Sequence, residues 1–199
     1  MNTSRLLLAI AAFLIGFSSM AQDVVYVDAS VFPVYGKISE ETNGRYERLP
    51  ARLEDVSRKA VWTRGRHSSG LYIRFRSNST SIHVKWESLF NNHYNHMTDI
   101  CTKGLDLYAL VDGKWRFVAP GRPSADGVST FTLAKNMTPV DREFMLYLSM
   151  YDGVKSIEIG VDKGAYIEQP AVNSPSQEKT IVMYGSSILQ GGCASRPGM

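Results

Sequence analysis

Leu71-Tyr72-Ile73-Arg74-Phe75-Arg76, the small polar turn Ser77-Asn78-Ser79 and Ile82-His83-Val84-Lys85-Trp86 decide how this chain folds. Apolar and polar residues alternate on both sides of the turn. That period of two sets one face of a strand on a core and turns the other toward water. The stretch predicts a hairpin. The same pattern continues downstream. Leu107-Tyr108-Ala109-Leu110-Val111 and Trp115-Arg116-Phe117-Val118 flank Asp112-Gly113-Lys114, and Asp-Gly supplies the positive backbone angles that a tight hairpin needs. Phe131-Thr132-Leu133 is a shorter strand. Phe144 to Leu148 and Ile157 to Val161 flank Asp152-Gly153, another turn. Asp23 to Ala29 reads as an opening edge strand, and no stretch has a convincing amphipathic helical period. The expected fold is mainly β, an antiparallel jelly-roll-like β-sandwich over residues 22–165.

The two ends are written differently. Arg5 followed by the apolar stretch Leu6 to Phe17, with Ser19 and Ala21 as small residues before Gln22, reads as a signal peptide over residues 1–21. This predicts a secreted or periplasmic protein of the Gram-negative type. After the sandwich, Pro170, Asn173, Ser174, Pro175 and Ser176 mark a linker over 166–178. Thr180-Ile181-Val182-Met183-Tyr184 is then apolar without interruption, which suits the first strand of a parallel α/β sheet buried on both faces. It breaks into Gly185-Ser186-Ser187-Ile188-Leu189-Gln190-Gly191-Gly192, a small-residue turn that displays a serine. Residues 179–199 are therefore expected to begin a second, incomplete α/β domain.

The formal net charge of +3 gives no strong field. Arg64, Arg66, Arg74 and Arg76 cluster, but two fall on the polar phase of a strand. A solvated face is expected rather than a nucleic-acid partner. Cys101 and Cys193 are an even pair that would permit a disulfide in an exported protein. Cys193 lies in the serine turn, so free thiols are preferred. His93 and His96 sit in the loop Phe90 to Met97 without an evident third ligand, which favours a substrate-lining loop over zinc. No metal and no cofactor are expected. Trp115 and Phe117 share a phase that suits the core. Trp86, next to the Asn- and His-rich loop, is the tryptophan with a candidate ligand contact, although the core is the safer place for it.

Gly185-Ser186-Ser187-Ile188 with the glycine pair behind it resembles the first conserved block of the SGNH hydrolases, the Gly-Asp-Ser-Leu esterases and lipases. Ser187 stands at the nucleophile position of that block. Ser186 replaces its usual aspartate, which is not the catalytic acid. Gly104-Leu105-Asp106-Leu107-Tyr108 matches the Gly-x-Asp-Leu-Tyr motif of a domain found N-terminal to such hydrolases, largely in Bacteroidetes-type bacteria. Asp112 to Phe117 and Tyr151 to Val161 continue that likeness.

The resemblance implies a serine esterase acting on an acylated carbohydrate or another small ester. Ser187 would attack and its N–H would face the oxyanion. A downstream glycine and asparagine complete the oxyanion hole in that family, and a late Asp-x-x-His supplies the base and its orienter. None of these lies within 188–199. The chain is therefore expected to be inactive without the C-terminal hydrolase domain as its partner. His67, His83, His93 and His96 are remote substitutes for the base. Asp106 is expected to cap a turn or to bond backbone groups at a strand start. The alternative function is a non-catalytic carbohydrate- or partner-binding module.

Overall fold

The computed structural model describes residues 23–171 and 181–199. The expected signal peptide, residues 172–178 of the expected linker and Thr180 lie outside them. Ten strands run through the described residues: β1 Val24–Asp28, β2 Val34–Tyr35, β3 Tyr72–Ser77, β4 Ile82–Ser88, β5 Leu105–Val111, β6 Lys114–Gly121, β7 Val128–Ala134, β8 Arg142–Tyr147, β9 Val154–Asp162 and β10 Ile167–Glu168. Three short helices accompany them: α1 Lys59–Gly65, α2 Asp99–Lys103 and α3 Ser187–Gln190.

The strands form two antiparallel sheets. One has the order β1-β9-β4-β7; the other has the order β10-β3-β8-β5-β6, with β2 also paired to β3. The alternation seen in the sequence aims Ile73, Phe75, Leu105, Leu107, Phe144 and Leu146 inward from the second sheet. Ile82, Val84, Trp86, Ile157, Ile159 and Val161 meet them from the first. This is the expected mainly-β sandwich, and β1 is its edge strand as read. The Asp112-Gly113 hairpin also forms: φ is +49° at Asp112 and +70° at Gly113, and Val111 pairs with Lys114.

The expected hairpin at 71–86 does not form. β3 pairs with β2, β8 and β10, whereas β4 pairs with β7 and β9. The connection Ser77 to Ser81 therefore crosses from one sheet to the other. Both strands bury their apolar phase, and facing sheets satisfy that as well as a shared ladder does. A remote carboxylate pins the crossing. Asp162 at the end of β9 accepts from the N–H of Thr80 (2.8 Å), the N–H of Ser81 (3.1 Å) and the Ser81 hydroxyl. β8 and β9, around Asp152-Gly153, likewise lie in different sheets.

Three further expectations change. Arg74 is not solvated: it is 4% exposed, is paired with Glu143 and lies over the rings of Tyr35 and Trp115. Trp115 is half-buried and Phe117 exposed, so their common phase is the outer one. β10 pairs with Arg76 and Ser77, so the sandwich runs past the expected boundary at 165.

Residues 181–184 belong to no sheet, and Ile181, Val182, Met183 and Tyr184 are exposed. The parallel strand expected at 180–184 is thus absent among the described residues. A ladder needs neighbours on which to form, and none of the described strands lies alongside this run.

Candidate active site

Ser186 caps α3, its hydroxyl accepting from the N–H of Ile188 (3.4 Å). Ser187 is the first helical residue and is exposed. An N–H at that position has no intrahelical acceptor, so it is free to face a developing oxyanion. The helix stops after one turn because Gly191 adopts φ of +98°, the left-handed cap that glycine takes without steric penalty.

The sandwich holds this turn at Ser187, Gln190 and the glycine pair. The Tyr151 hydroxyl donates to the carbonyl of Ser187 (2.9 Å), which also accepts from the N–H of Gly192 (2.8 Å). Ser69 Oγ donates to the carbonyl of Gln190 (2.7 Å). The Gln190 amide donates to the carbonyl of Met150 (3.0 Å) and to Nδ1 of His67 (3.0 Å). The glycine pair is there for proximity: a Cβ on Gly191 would strike Met150, and one on Gly192 would come within 2.9 Å of the Tyr151 hydroxyl. Ala194 packs on a small cluster of Met97, Cys101, Met150 and Tyr151. An open cleft lies between Ser69, Gly70 and Tyr147 of the sandwich and Gly185, Ser186 and Ile188 of the turn.

The Gly-Leu-Asp-Leu-Tyr segment is part of the same assembly. Gly104 ends α2 where a Cβ would meet the carbonyl oxygens of Ile100 and Gly121. Leu105 and Leu107 enter the core, so Asp106 and Tyr108 project from the outer face of β5. Asp106 is nevertheless fully buried, with Arg196 and Gly198 bonded to its carboxylate. Nη1 of Arg196 donates to Oδ2 of Asp106 (2.6 Å) and to the Tyr108 hydroxyl (2.7 Å). The N–H of Gly198 donates to the same carboxylate oxygen (2.9 Å), and the Tyr108 hydroxyl donates to the Gly198 carbonyl (2.6 Å). Burial pushes the Asp106 carboxyl above its ordinary range, against the downward pull of Gly198 and Arg196. Asp106, expected to cap a turn or to bond backbone groups at a strand start, does bond a backbone N–H, but that of remote Gly198, and its second partner is the Arg196 guanidinium. Arg196, Gly198, Gln190, Ser69 and Tyr151 carried no local signal of this role, since each works through a partner far away in sequence.

The other candidates divide. His93 is exposed, its Nδ1 paired with Asp99 (2.7 Å). His96 lies in the same loop, and its carbonyl accepts from the Cys193 thiol (3.8 Å), so the loop borders the serine turn. Trp86 does not line a site: it is 2% exposed, and its indole N–H donates to the carbonyl of Lys103 (3.0 Å). Cys101 and Cys193 are free thiols. Among the described residues no group of three His, Cys, Asp or Glu side chains could hold a metal ion, and no histidine hydrogen-bonds the Ser187 hydroxyl.

His67 is a structural group with a measurable consequence. Its burial, helped by the charges of Arg48 and Arg64, lowers its pKa to about 3. It therefore stays neutral in the folded protein. Below about 6.5 the unfolded chain binds a proton there that the folded chain refuses. Stability from this ring is constant above that pH. It falls as pH drops toward 3, by at most about 1.4 kcal/mol per pH unit. Urea midpoints at pH 7.5 and 5.0 are expected to show the fall, and His67→Gln is expected to reduce it. An unchanged pH dependence in His67→Gln would reject the assignment.

Residues 24–167 match the family described as the N-terminus of SGNH-hydrolase-type esterases, GxDLY, and residues 178–199 match the GDSL-like lipase/acylhydrolase family. Among solved structures the chain is similar to a Bacteroides ovatus ATCC 8483 protein described as a candidate GDSL-like lipase. The two share 37% identity with a TM-score of 0.82, over 88% of this chain and 51% of that one. The chain thus spans about half the length of that relative. It also resembles the salicylyl-acyltransferase SsfX3 from a tetracycline biosynthetic pathway, at 18% identity and a TM-score of 0.52, over 76% of this chain and 43% of that one, which is a likeness of fold. No curated protein matches the chain.

Proposed function

Since the chain belongs to the family that forms the N-terminus of SGNH-hydrolase-type esterases, we propose that it is the leading part of an exported serine esterase whose nucleophile is Ser187. One observation carries the reading. The residue at the family's nucleophile position is exposed as the first residue of a one-turn helix, and the sandwich grips that helix by its backbone.

Ser187 Oγ attacks the ester carbonyl and gives its proton to a histidine. The alcohol leaves, and water then releases the acid from the acyl-serine. The histidine and its acidic partner belong to the family's late Asp-x-x-His, outside residues 188–199. The Ser187 N–H contributes to the oxyanion hole, and the cleft beside Tyr147 and Ser69 leaves room for the acyl group. The substrate class is an acylated carbohydrate, in keeping with an exported protein that carries a β-sandwich beside its catalytic block. His93 and His96, bordering the turn, are candidates for lining its outer edge.

A sandwich that stacked glycans on its outer face would use free aromatic rings there. The outer-face row Tyr35, Tyr72, Tyr147, Tyr108 and Phe117 is instead packed ring against ring, with Arg74 and Arg196 over its two ends.

The native exported protein, detected through a sandwich peptide such as that containing Asp106, is expected to have a mass far above 22.2 kDa. The purified 199-residue chain is expected to turn over no aryl acetate. Ser187-dependent turnover by that chain, or a native mass near that of the chain without residues 1–21, would overturn the reading.

A further inference from the structure

Asp106 poses a physical problem that the segment after the serine turn answers at one oxygen, Oδ2, while Oδ1 stays buried without a partner. It projects from the outer face of β5, where a carboxylate would ordinarily be solvated, yet it is fully buried. Taking a carboxylate out of water is costly unless cations and N–H donors replace the lost hydration. Here the replacements come from one short segment that follows the serine turn: the Arg196 guanidinium and the Gly198 N–H, both on Oδ2. Tyr108, on the same face two residues along, completes the grip. Its hydroxyl accepts from Arg196 and donates to the Gly198 carbonyl. The peptide groups of Gly198 are thus held at both N–H and C=O by alternate residues of a single strand. The fit requires glycine, since a Cβ at Gly198 would come within 2.6 Å of the Tyr108 ring. Phe117 on β6 lies under the guanidinium, 3.9 Å from ring centre to Cζ. Planar cation, carboxylate and aromatic face complement one another here in a way a lysine could not reproduce.

We propose that Asp106 and Tyr108 are positioning residues: a latch on the sandwich that seats the segment Arg196 to Gly198 and so fixes the place of the Ser187 turn. Tyr151, Ser69 and Met150 hold the turn at one end, and the Asp106–Tyr108 latch holds the exit from it at the other. The sandwich is then a jig for the nucleophile. This deepens the function proposed above and rests on it only in treating Ser187 as a nucleophile.

Amide hydrogen exchange on the 199-residue chain tests the latch without requiring catalysis. In the parent chain the Gly198 and Gly192 amides are expected to be protected. Arg196→Gln and Tyr108→Phe are each expected to speed their exchange by roughly tenfold or more, while core amides such as those of Ile73 and Leu146 remain as slow as before. Arg196→Lys, which keeps a cation beside Asp106, is expected to fall between the parent and Arg196→Gln. Arg196 lies outside the sandwich, so its substitution leaves the core intact. The latch is overturned if Gly198 and Gly192 exchange freely in the parent chain, or if neither variant changes them. It is equally overturned if the core amides accelerate by the same factor, or if Arg196→Lys is no better than Arg196→Gln. Because the readout is exchange, failure of the latch leaves the esterase reading standing, and failure of the esterase reading leaves the latch standing.

Discussion

If the proposed function holds, Ser187→Ala in the full-length protein is expected to lower aryl acetate turnover by roughly 10⁴- to 10⁶-fold, with an unchanged thermal transition. The selectivity of that effect follows from how the residue is held. Its backbone carries the structural contacts: the carbonyl accepts from Tyr151 and Gly192, and alanine keeps both. Its hydroxyl makes no hydrogen bond among the described residues, and alanine is the better helix former. Under the proposed function, removing the hydroxyl therefore takes away the attacking atom and little else. Ser186→Ala is the informative contrast. The Ser186 hydroxyl caps α3 through the Ile188 N–H, so its loss weakens the turn by about 1 kcal/mol while leaving a nucleophile in place. A modest drop in turnover is expected there. If Ser186→Ala were the inactive variant and Ser187→Ala retained activity, the assignment of the two serines would be reversed and the orientation of the turn would need another explanation.

What could be read in the sequence was what short-range physics decides. The β5–β6 hairpin was legible because Asp112-Gly113 carries its own turn chemistry, and the inward phase of β3 and β4 because burial imposes a period of two. Whether β4 returns beside β3 or crosses to the facing sheet is set by Asp162, which bonds Thr80 and Ser81 from 82 and 81 residues away. No local pattern contains that. Arg74 read as solvated for the same reason: its phase is outer, but Glu143, Tyr35 and Trp115 assemble over it only in the fold. Phe117 and Trp115 keep their common phase, which is the face that receives arginines. The serine turn was recognisable as a block. The role of Asp106 was not, since Arg196 lies 90 residues further along. The apolar run at 181–184 shows the converse. Its composition fits a buried strand, and composition alone cannot provide the neighbouring strands that would bury it.

Trp86→Ala is expected to destabilise the sandwich by about 3–5 kcal/mol and to lower its thermal midpoint by about 10–20 °C. Trp86 is 2% exposed, at the centre of the layer between the sheets. Its ring edge faces Gly121, where an added Cβ would stand 3.4 Å from Cη2, so the site is filled to contact and cannot collapse around a smaller residue. The indole N–H also satisfies the carbonyl of Lys103, and that buried acceptor would be left without its donor, a further cost of about 1–3 kcal/mol if water cannot enter. Trp86→Phe separates the two contributions. It keeps most of the apolar volume and loses the donor, so a smaller fall is expected. A ligand-contacting tryptophan would behave in the opposite way, losing binding at an unchanged midpoint. Lys103 immediately precedes Gly104 and β5, so the indole also fixes the start of the strand that carries Asp106 and Tyr108. A thermal midpoint unmoved by Trp86→Ala would mean that the core does not depend on this ring, and the packing between the two sheets would have to be drawn differently.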